Sequence, residues 1–220
     1  MCDKILITEE MLNSLRESLC EKLEKGLMSE KRFRHTIEVE KMAVTLGEIF
    51  LPDKINLLRA AALLHDITKE YSFEMQIKLC AQYDLDIKEE NYYAPKTLHA
   101  ITAAACIERE YPEFASEEVI GCVRWHTTGR ADMELSEKLI YLADYIDMSR
   151  DFEDCVRLRN YFFGADMTNL SHEEKLNHLD DTLIMSYNMT ISGLAEGDRV
   201  ISSDTVAARN ALILAKKKRV

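Results

Sequence analysis

Two adjacent polar residues, His65 and Asp66, follow directly on a run of leucine and alanine at residues 57–64. The run is interrupted only by Arg59, so the segment is typical of a helix that packs in a protein core. Burial of an imidazole and a carboxylate in such surroundings is costly unless another group compensates both. A metal ion would do so, because each of these side chains is a metal ligand. The pair therefore indicates a functional site.

Further residues of the same ligand types stand among apolar neighbours in other segments: His35, His99, His126 and Asp144. A single histidine on an apolar helix face is more often a core residue, and a single aspartate is often a cap or an ion-pair partner. Buried polar groups in five segments nevertheless need partners. Mixed imidazole and carboxylate ligands suit iron, manganese or zinc better than calcium or magnesium. The sequence thus predicts a metal site with His35, His65, Asp66, His99, His126 and Asp144 as ligands.

The two remaining histidines, His172 and His178, lie in a charged segment. Ser171 and Glu174 form the pattern of a capping box there, which predicts the start of a helix. We predict that both histidines are surface residues.

Four other residues are candidates for contacts with an anionic substrate. Lys69 lies one helical turn after His65, on the same face, and Arg150 lies close after Asp144. Either cation would pair with phosphate oxygens, although an ordinary solvated charge is the alternative. Thr127 and Thr128 offer hydroxyl donors to phosphate, with a helix cap as the alternative for Thr127.

The spacing of apolar residues predicts an all-α protein with the candidate ligands on or next to helices. Only three prolines and seven glycines interrupt the chain, and no segment alternates persistently with a period of two. Residues 84–95 are polar and predict a loop. The predicted helices cover residues 8–25, 31–50, 52–66, 72–83, 96–110, 116–126, 135–149, 151–163, 172–191 and 203–217.

Composition restricts the classes of function. The formal net charge of −11 disfavours non-specific nucleic-acid binding, which needs basic surfaces, but permits a nucleotide held by a metal. No apolar stretch is long enough to span a bilayer, and residues 1–15 lack the pattern of a signal peptide. The six cysteines form no Cys-x-x-Cys pair, so free thiols, mostly buried, in a cytoplasmic protein are expected.

These segments resemble the HD superfamily of metal-dependent phosphohydrolases, whose order of residues is His, then His-Asp, then Asp. Residues 32–36, 63–69, 98–99, 126–130 and 143–146 together look like the YqeK family of symmetrical dinucleoside-tetraphosphate hydrolases. The resemblance implies a single HD-type helical bundle over residues 1–220. Its core would cover about 27–165, with the helices at about 8–25 and 172–217 packed on it.

The resemblance also implies a centre of two divalent metals, typically containing iron, with manganese or zinc as alternatives. By position, His35, His65, Asp66 and Asp144 would hold one metal. Asp66 would bridge to a second metal, which His99 and His126 also hold. One departure is that Asp147-Met148 stands where the family usually has Glu-Pro.

The implied activity is hydrolysis of diadenosine tetraphosphate to two ADP by a hydroxide that bridges the metals. Asp66, Lys69 and Arg150 would be the catalytic residues, and Lys69, Thr127, Thr128 and Arg150 would bind substrate. Alternatives are an HD phosphohydrolase for a deoxynucleotide, a cyclic dinucleotide or a guanosine polyphosphate, and a nucleotide-binding module without turnover. The expected partner is a small nucleotide, with neither nucleic acid nor membrane. A homodimer through Met185 and Met189 is left open, because these residues would equally suit a core.

Overall fold

The computed structural model describes residues 6–219, and these form helices joined by turns and irregular segments, without a β-strand. The prediction of an all-α fold is confirmed. Predictions about Cys2 and the first five residues lie outside the described part of the chain. The α-helices are α1 (Glu9–Glu24), α2 (Glu30–Phe50), α3 (Ile55–Leu64), α4 (Phe73–Gln82), α5 (Glu89–Tyr93), α6 (Leu98–Glu110), α7 (Glu117–Trp125), α8 (Leu135–Ile146), α9 (Glu153–Phe163), α10 (His172–Glu196) and α11 (Ser203–Lys218).

Several predicted helix boundaries were wrong, and the largest differences are at residues 84–95 and at the end of α10. The expected loop at 84–95 contains the short helix α5, where the buried Asn91 side chain accepts from the Lys88 backbone N–H and closes the first turn. Helix α10 continues through Gly193 to Glu196. One exposed glycine costs a helix only about 1 kcal/mol, so packing of the preceding turns is sufficient to carry the helix past it.

Helix α3 is the central element of the core. It packs against α2, α7 and α8, and its residues 60–64 are completely buried. Gly47 of α2 lets the two helices approach closely, since a Cβ atom there would lie 2.7 Å from Ile55 and 2.8 Å from Leu58. The segment that follows α3 is therefore held at the junction of several helices.

A buried ion-pair network fixes α1 and α3 to α2. The carboxylate of Glu40, in α2, is buried and accepts hydrogen bonds from Arg16 of α1 and Arg59 of α3. Glu70, after α3, accepts a 2.8 Å hydrogen bond from the backbone N–H of Ser29, the N-cap of α2. These links set α2 and the segment after α3 in one relative position.

Helix α10 packs on α8, α9 and α11, and this packing corrects one prediction. His178 is not a surface residue: its ring stacks on Tyr161 and Phe162, and its Nε2 lies 3.0 Å from the Phe162 carbonyl. His172 is exposed, as predicted. The charged sequence around His178 suggested an exposed position, but only one face of an amphipathic helix is solvated, and His178 lies on the other face. Met185 and Met189 are partly buried against the core.

The cysteines from residue 6 onwards are free thiols, and all except Cys20 are buried. None of the described helices combines the length and the apolar character needed to cross a membrane.

Candidate metal centre

The predicted ligands come from five helices and lie at one buried point. His35 is in the second turn of α2, His65 and Asp66 follow α3 directly, and His99 is the second residue of α6. His126 follows α7, and Asp144 is in the last turn of α8. Every one of the four imidazoles is buried. The structure therefore brings together all six residues that the sequence nominated.

The first cluster consists of His35, His65, Asp66 and Asp144, whose ligand atoms all lie within 4.8 Å of one another. His35 Nε2 is 3.0 Å from Asp144 Oδ1 and 3.4 Å from His65 Nε2. His65 Nε2 is 3.4 Å from Asp66 Oδ2. Two imidazole nitrogens and two carboxylate oxygens thus face a common point.

The second cluster consists of Asp66, His99 and His126. Asp66 Oδ1 lies 3.1 Å from His99 Nε2 and 3.5 Å from His126 Nε2, and the two imidazole nitrogens are 2.9 Å apart. Asp66 therefore directs one oxygen towards each cluster. This is the arrangement that a bridging carboxylate requires.

Hydrogen bonds at Nδ1 decide which ring nitrogens face the centre. The Nδ1 atoms of His65, His99 and His126 lie 2.6–2.7 Å from the carbonyl oxygens three residues earlier. A carbonyl only accepts, so each Nδ1 carries a proton, and Nε2 is the nitrogen whose lone pair faces inwards whenever the ring is neutral. Facing lone pairs repel unless a cation lies between them, and the buried Asp66 Oδ1 accepts no hydrogen bond. The donor set consequently fits divalent metal ions.

Charge at the centre supports the same conclusion. Burial lowers the pKa of His65, but the carboxylates of Asp66 and Asp144 outweigh this effect and raise the pKa to about 9. The carboxylates of Asp66 and Asp144 therefore favour a positive charge at the His65 ring. A metal ion bound at Nε2 would supply that charge in place of a proton. Burial and the neighbouring Lys69 lower the pKa of His99 to about 4, so this ring stays neutral and able to ligate.

Two guanidinium groups contact the aspartates from the open side. Arg150 donates to Asp144 and lies 3.4 Å from His35 Nε2. Arg32 donates to Asp66, a contact that was not predicted from the sequence. The available signal was its position three residues before His35, on the same face of α2.

The predicted substrate residues divide into two groups. Lys69 Nζ is 3.0 Å from His99 Nε2, and Thr127 Oγ1 is 3.0 Å from His126 Nε2, so both contact the centre. Thr128 does not, because its buried hydroxyl donates to the Gly129 carbonyl instead. Gly129 adopts a positive φ of 67° and directs the chain away from α7.

Asp147 is a further residue at the centre. Helix α8 ends at Ile146 rather than at 149, and the buried Asp147 accepts from the backbone N–H of Ser149. Its Oδ2 lies 3.2 Å from His35 Nδ1 and 3.1 Å from Arg150 Nε, as in an ion pair. Burial raises the pKa of Asp147, but His35 and Ser149 more than offset this and lower it. Although shorter than glutamate, Asp147 therefore reaches the first cluster through His35.

The centre opens into a cleft of about 1310 Å³. The charged side chains that line it are Glu30, Lys31, Arg32, Arg34, Lys69, Glu70, Lys96, Arg150 and Asp151. Two of the six cations, Arg32 and Arg150, pair with the carboxylates of the centre. Lys31, Arg34 and Lys96 form no ion pair with the described residues, so the wall of the cleft offers cations although the whole chain carries a net charge of −11. Such a cleft attracts an anionic ligand to the metal site.

An all-helical fold in which a His-Asp pair, further histidines and a later aspartate converge on a buried centre defines the HD-domain class. The HD domain family model matches residues 32–149, more than half of the chain, and the chain belongs to this family. The chain is also similar to proteins that are named symmetrical bis(5'-nucleosyl)-tetraphosphatases, as the YqeK resemblance led us to expect.

The chain is 30% identical over 195 residues to the enzyme so named from Halalkalibacterium halodurans, and the matched region covers 89% of this chain and 96% of the relative. The chain is 29% identical over 189 residues to the enzyme so named from Staphylococcus aureus, and the matched region covers 86% of this chain and 90% of the relative. A similar solved structure, described as a predicted HD superfamily hydrolase involved in NAD metabolism, comes from Clostridium acetobutylicum. It has a TM-score of 0.76 and 28% identity, and the match covers 92% of this chain and 97% of that one.

Proposed function

We propose that this protein is a metal-dependent hydrolase that cleaves diadenosine tetraphosphate symmetrically into two ADP molecules. The observation that carries the proposal is Asp66, whose two oxygens face two separate histidine clusters at the base of a cleft lined by cations. The relatives named for this reaction, matched over most of their length, support the substrate. The proposed partner is a small nucleotide, in the cytoplasm. A homodimer through Met185 and Met189 stays a prediction.

The proposed cofactor is a pair of divalent metals, iron first, with manganese or zinc as alternatives. His35, His65, Asp66 and Asp144 would hold one metal, and Asp66, His99 and His126 the other. When bound, such a pair supplies Lewis acidity and an activated water. Asp66 is the residue on which both positions depend.

The protein's own groups act on the phosphate chain. Arg150, Lys69 and the hydroxyl of Thr127 surround the centre and would donate to the non-bridging oxygens, where negative charge grows in the transition state. A water oxygen forms a bond to one central phosphorus as the central P–O–P bond breaks. The leaving ADP takes the electron pair of that bond, and the proton of the water is released. Arg32 would hold Asp66 in place.

Product analysis on the metal-loaded protein tests the reaction. Chromatography of a diadenosine tetraphosphate digest is expected to show ADP alone, and ATP with AMP, or no turnover, would reject the proposal. The same assay with a deoxynucleotide, a cyclic dinucleotide and a guanosine polyphosphate compares the alternative substrates. Nucleotide binding without hydrolysis of any of them would favour the non-catalytic module.

Metal content tests the site independently of activity. Asp66→Ala is expected to lose both metals, whereas His99→Ala should mainly lose one, because Asp66 contacts both clusters and His99 only the second. The exposed His172 provides the matched control, and His172→Ala should retain full metal and activity. Equal metal losses in Asp66→Ala and His99→Ala would contradict the bridging role.

A further inference from the structure

Three exposed aromatic side chains, Tyr71, Phe73 and Phe152, line the same cleft as the metal centre, and Tyr71 is the least exposed of them at 38%. Phe73 is 41% exposed and Phe152 is 65% exposed. Single exposed apolar residues are ordinary on a protein surface. Exposed rings in a cleft lined by cations are a different case, because aromatic faces beside cations are the combination that holds nucleobases and phosphates.

Phe73 and Phe152 come from different segments of the chain. Phe152 lies two residues after Arg150, which contacts His35 and Asp144 in the first cluster. Phe73 is the first residue of α4, which packs on α6, the helix that carries His99 of the second cluster. Phe152 is thus linked to the first cluster, and Phe73, with Tyr71 two residues before it, is linked to the second.

We propose that Phe73 and Phe152 are two base-stacking platforms, one for each nucleobase of a dinucleoside polyphosphate. The proposal rests on the proposed function, since it needs the phosphate chain to cross the centre between the rings. One platform alone fixes only one end of the phosphate chain of the substrate. Two platforms place its middle at Asp66, which directs cleavage to the central anhydride. Stacking accepts any base, so the cleft selects for two bases rather than for adenine.

Calorimetry on metal-loaded protein with three probes tests the assignment. Inorganic tripolyphosphate has no base, adenosine 5'-tetraphosphate has one, and diadenosine tetraphosphate with a methylene group at its centre has two and resists cleavage there. Phe73→Ala and Phe152→Ala should each weaken the two-base probe about 5- to 150-fold. Both should leave tripolyphosphate binding unchanged. Phe163, which is 42% exposed and does not line the cleft, provides the control variant Phe163→Ala.

Phe152→Trp and Phe73→Trp are expected to restore binding of the two-base probe, because tryptophan also stacks. Unchanged affinity in the alanine variants overturns the assignment, and so does an equal loss for tripolyphosphate, which would mean that the rings only shape the cleft. The wild-type protein separates the two proposals. If the wild type cleaves the substrate symmetrically but neither alanine variant changes binding, only the assignment of the stacking platforms is rejected. If the wild type shows neither turnover nor binding of the two-base probe, the proposed function is rejected.

Discussion

Replacement of Asp147 by asparagine is expected to weaken the first metal position selectively. The carboxylate is buried and has two sets of partners: Oδ1 accepts from Ser149, and Oδ2 faces His35 Nδ1 at 3.2 Å and Arg150 Nε at 3.1 Å. Asparagine has a single acceptor oxygen. If that oxygen keeps the Ser149 bond, the amide NH₂ faces the N–H groups of His35 and Arg150. The negative charge that makes His35 a stronger ligand is lost in either orientation.

The magnitude follows from this geometry. Removal of the partner of a metal-ligating histidine costs about 10- to 100-fold in metal affinity, which corresponds to about 1.4–2.7 kcal/mol. The second cluster should keep its affinity, because His99 and His126 are oriented by the carbonyls of Lys96 and Val123 instead.

The assay is a titration of metal-loaded protein with a chelator, followed by metal analysis. Asp147→Asn should release one metal per chain at a lower chelator concentration than the wild type and retain the other. Asp151→Asn, in the same loop but exposed, is the control and should match the wild type. Release of both metals together, or a curve identical to the wild type, would refute the reasoning that Asp147 acts through His35.

Three other predictions concern stability and reactivity. Glu40→Gln should lower the free energy of unfolding by about 3 kcal/mol, because a buried carboxylate with two arginine partners is lost. Urea unfolding measures this change, and Glu38→Gln is the control because Glu38 is more exposed. A decrease below about 1 kcal/mol would contradict a stabilising role of the ion-pair network. Cys106 should resist thiol reagents at pH 8, since burial and Glu110 raise its pKa to about 12 and keep it protonated. Mass spectrometry should find the exposed Cys20 labelled before Cys106, and the reverse order would argue against this burial. Removal of all metal should lower the Tm and abolish hydrolysis, because ions that bind only the folded state stabilise it; an unchanged Tm in a calorimetric scan would contradict a built metal site.

The ligand types and the helices were predictable from the sequence because both are local properties. His65 and Asp66 stood out by contrast with the run before them, and periodicity located the helices around them. Helix ends were less predictable. Asn91 starts a helix through a side-chain hydrogen bond, and Gly193 does not end one, since tertiary packing overrides weak local preferences.

Contacts between distant segments could not be read in the same way. Arg32 reaches Asp66, and Asp147 reaches His35, only because α2, α3 and α8 pack together. His178 shows the converse error: its neighbours in sequence are charged, but its neighbours in space are the aromatic rings of α9. Spacing identifies residues that share a face, whereas tertiary packing decides which faces meet.

The placement of the histidines at helix ends gives the centre its chemistry. The last carbonyls of a helix have no N–H partner within it. His65 follows α3 and His126 follows α7, so each ring lies beside such a carbonyl, that of Ala62 or Val123, and donates its Nδ1 proton to it. One hydrogen bond thus satisfies the carbonyl and turns the Nε2 lone pair inwards. A histidine in the middle of a helix would find that carbonyl already bonded. The position of a histidine directly after an apolar helix is therefore a sequence signal for a preorganised ligand.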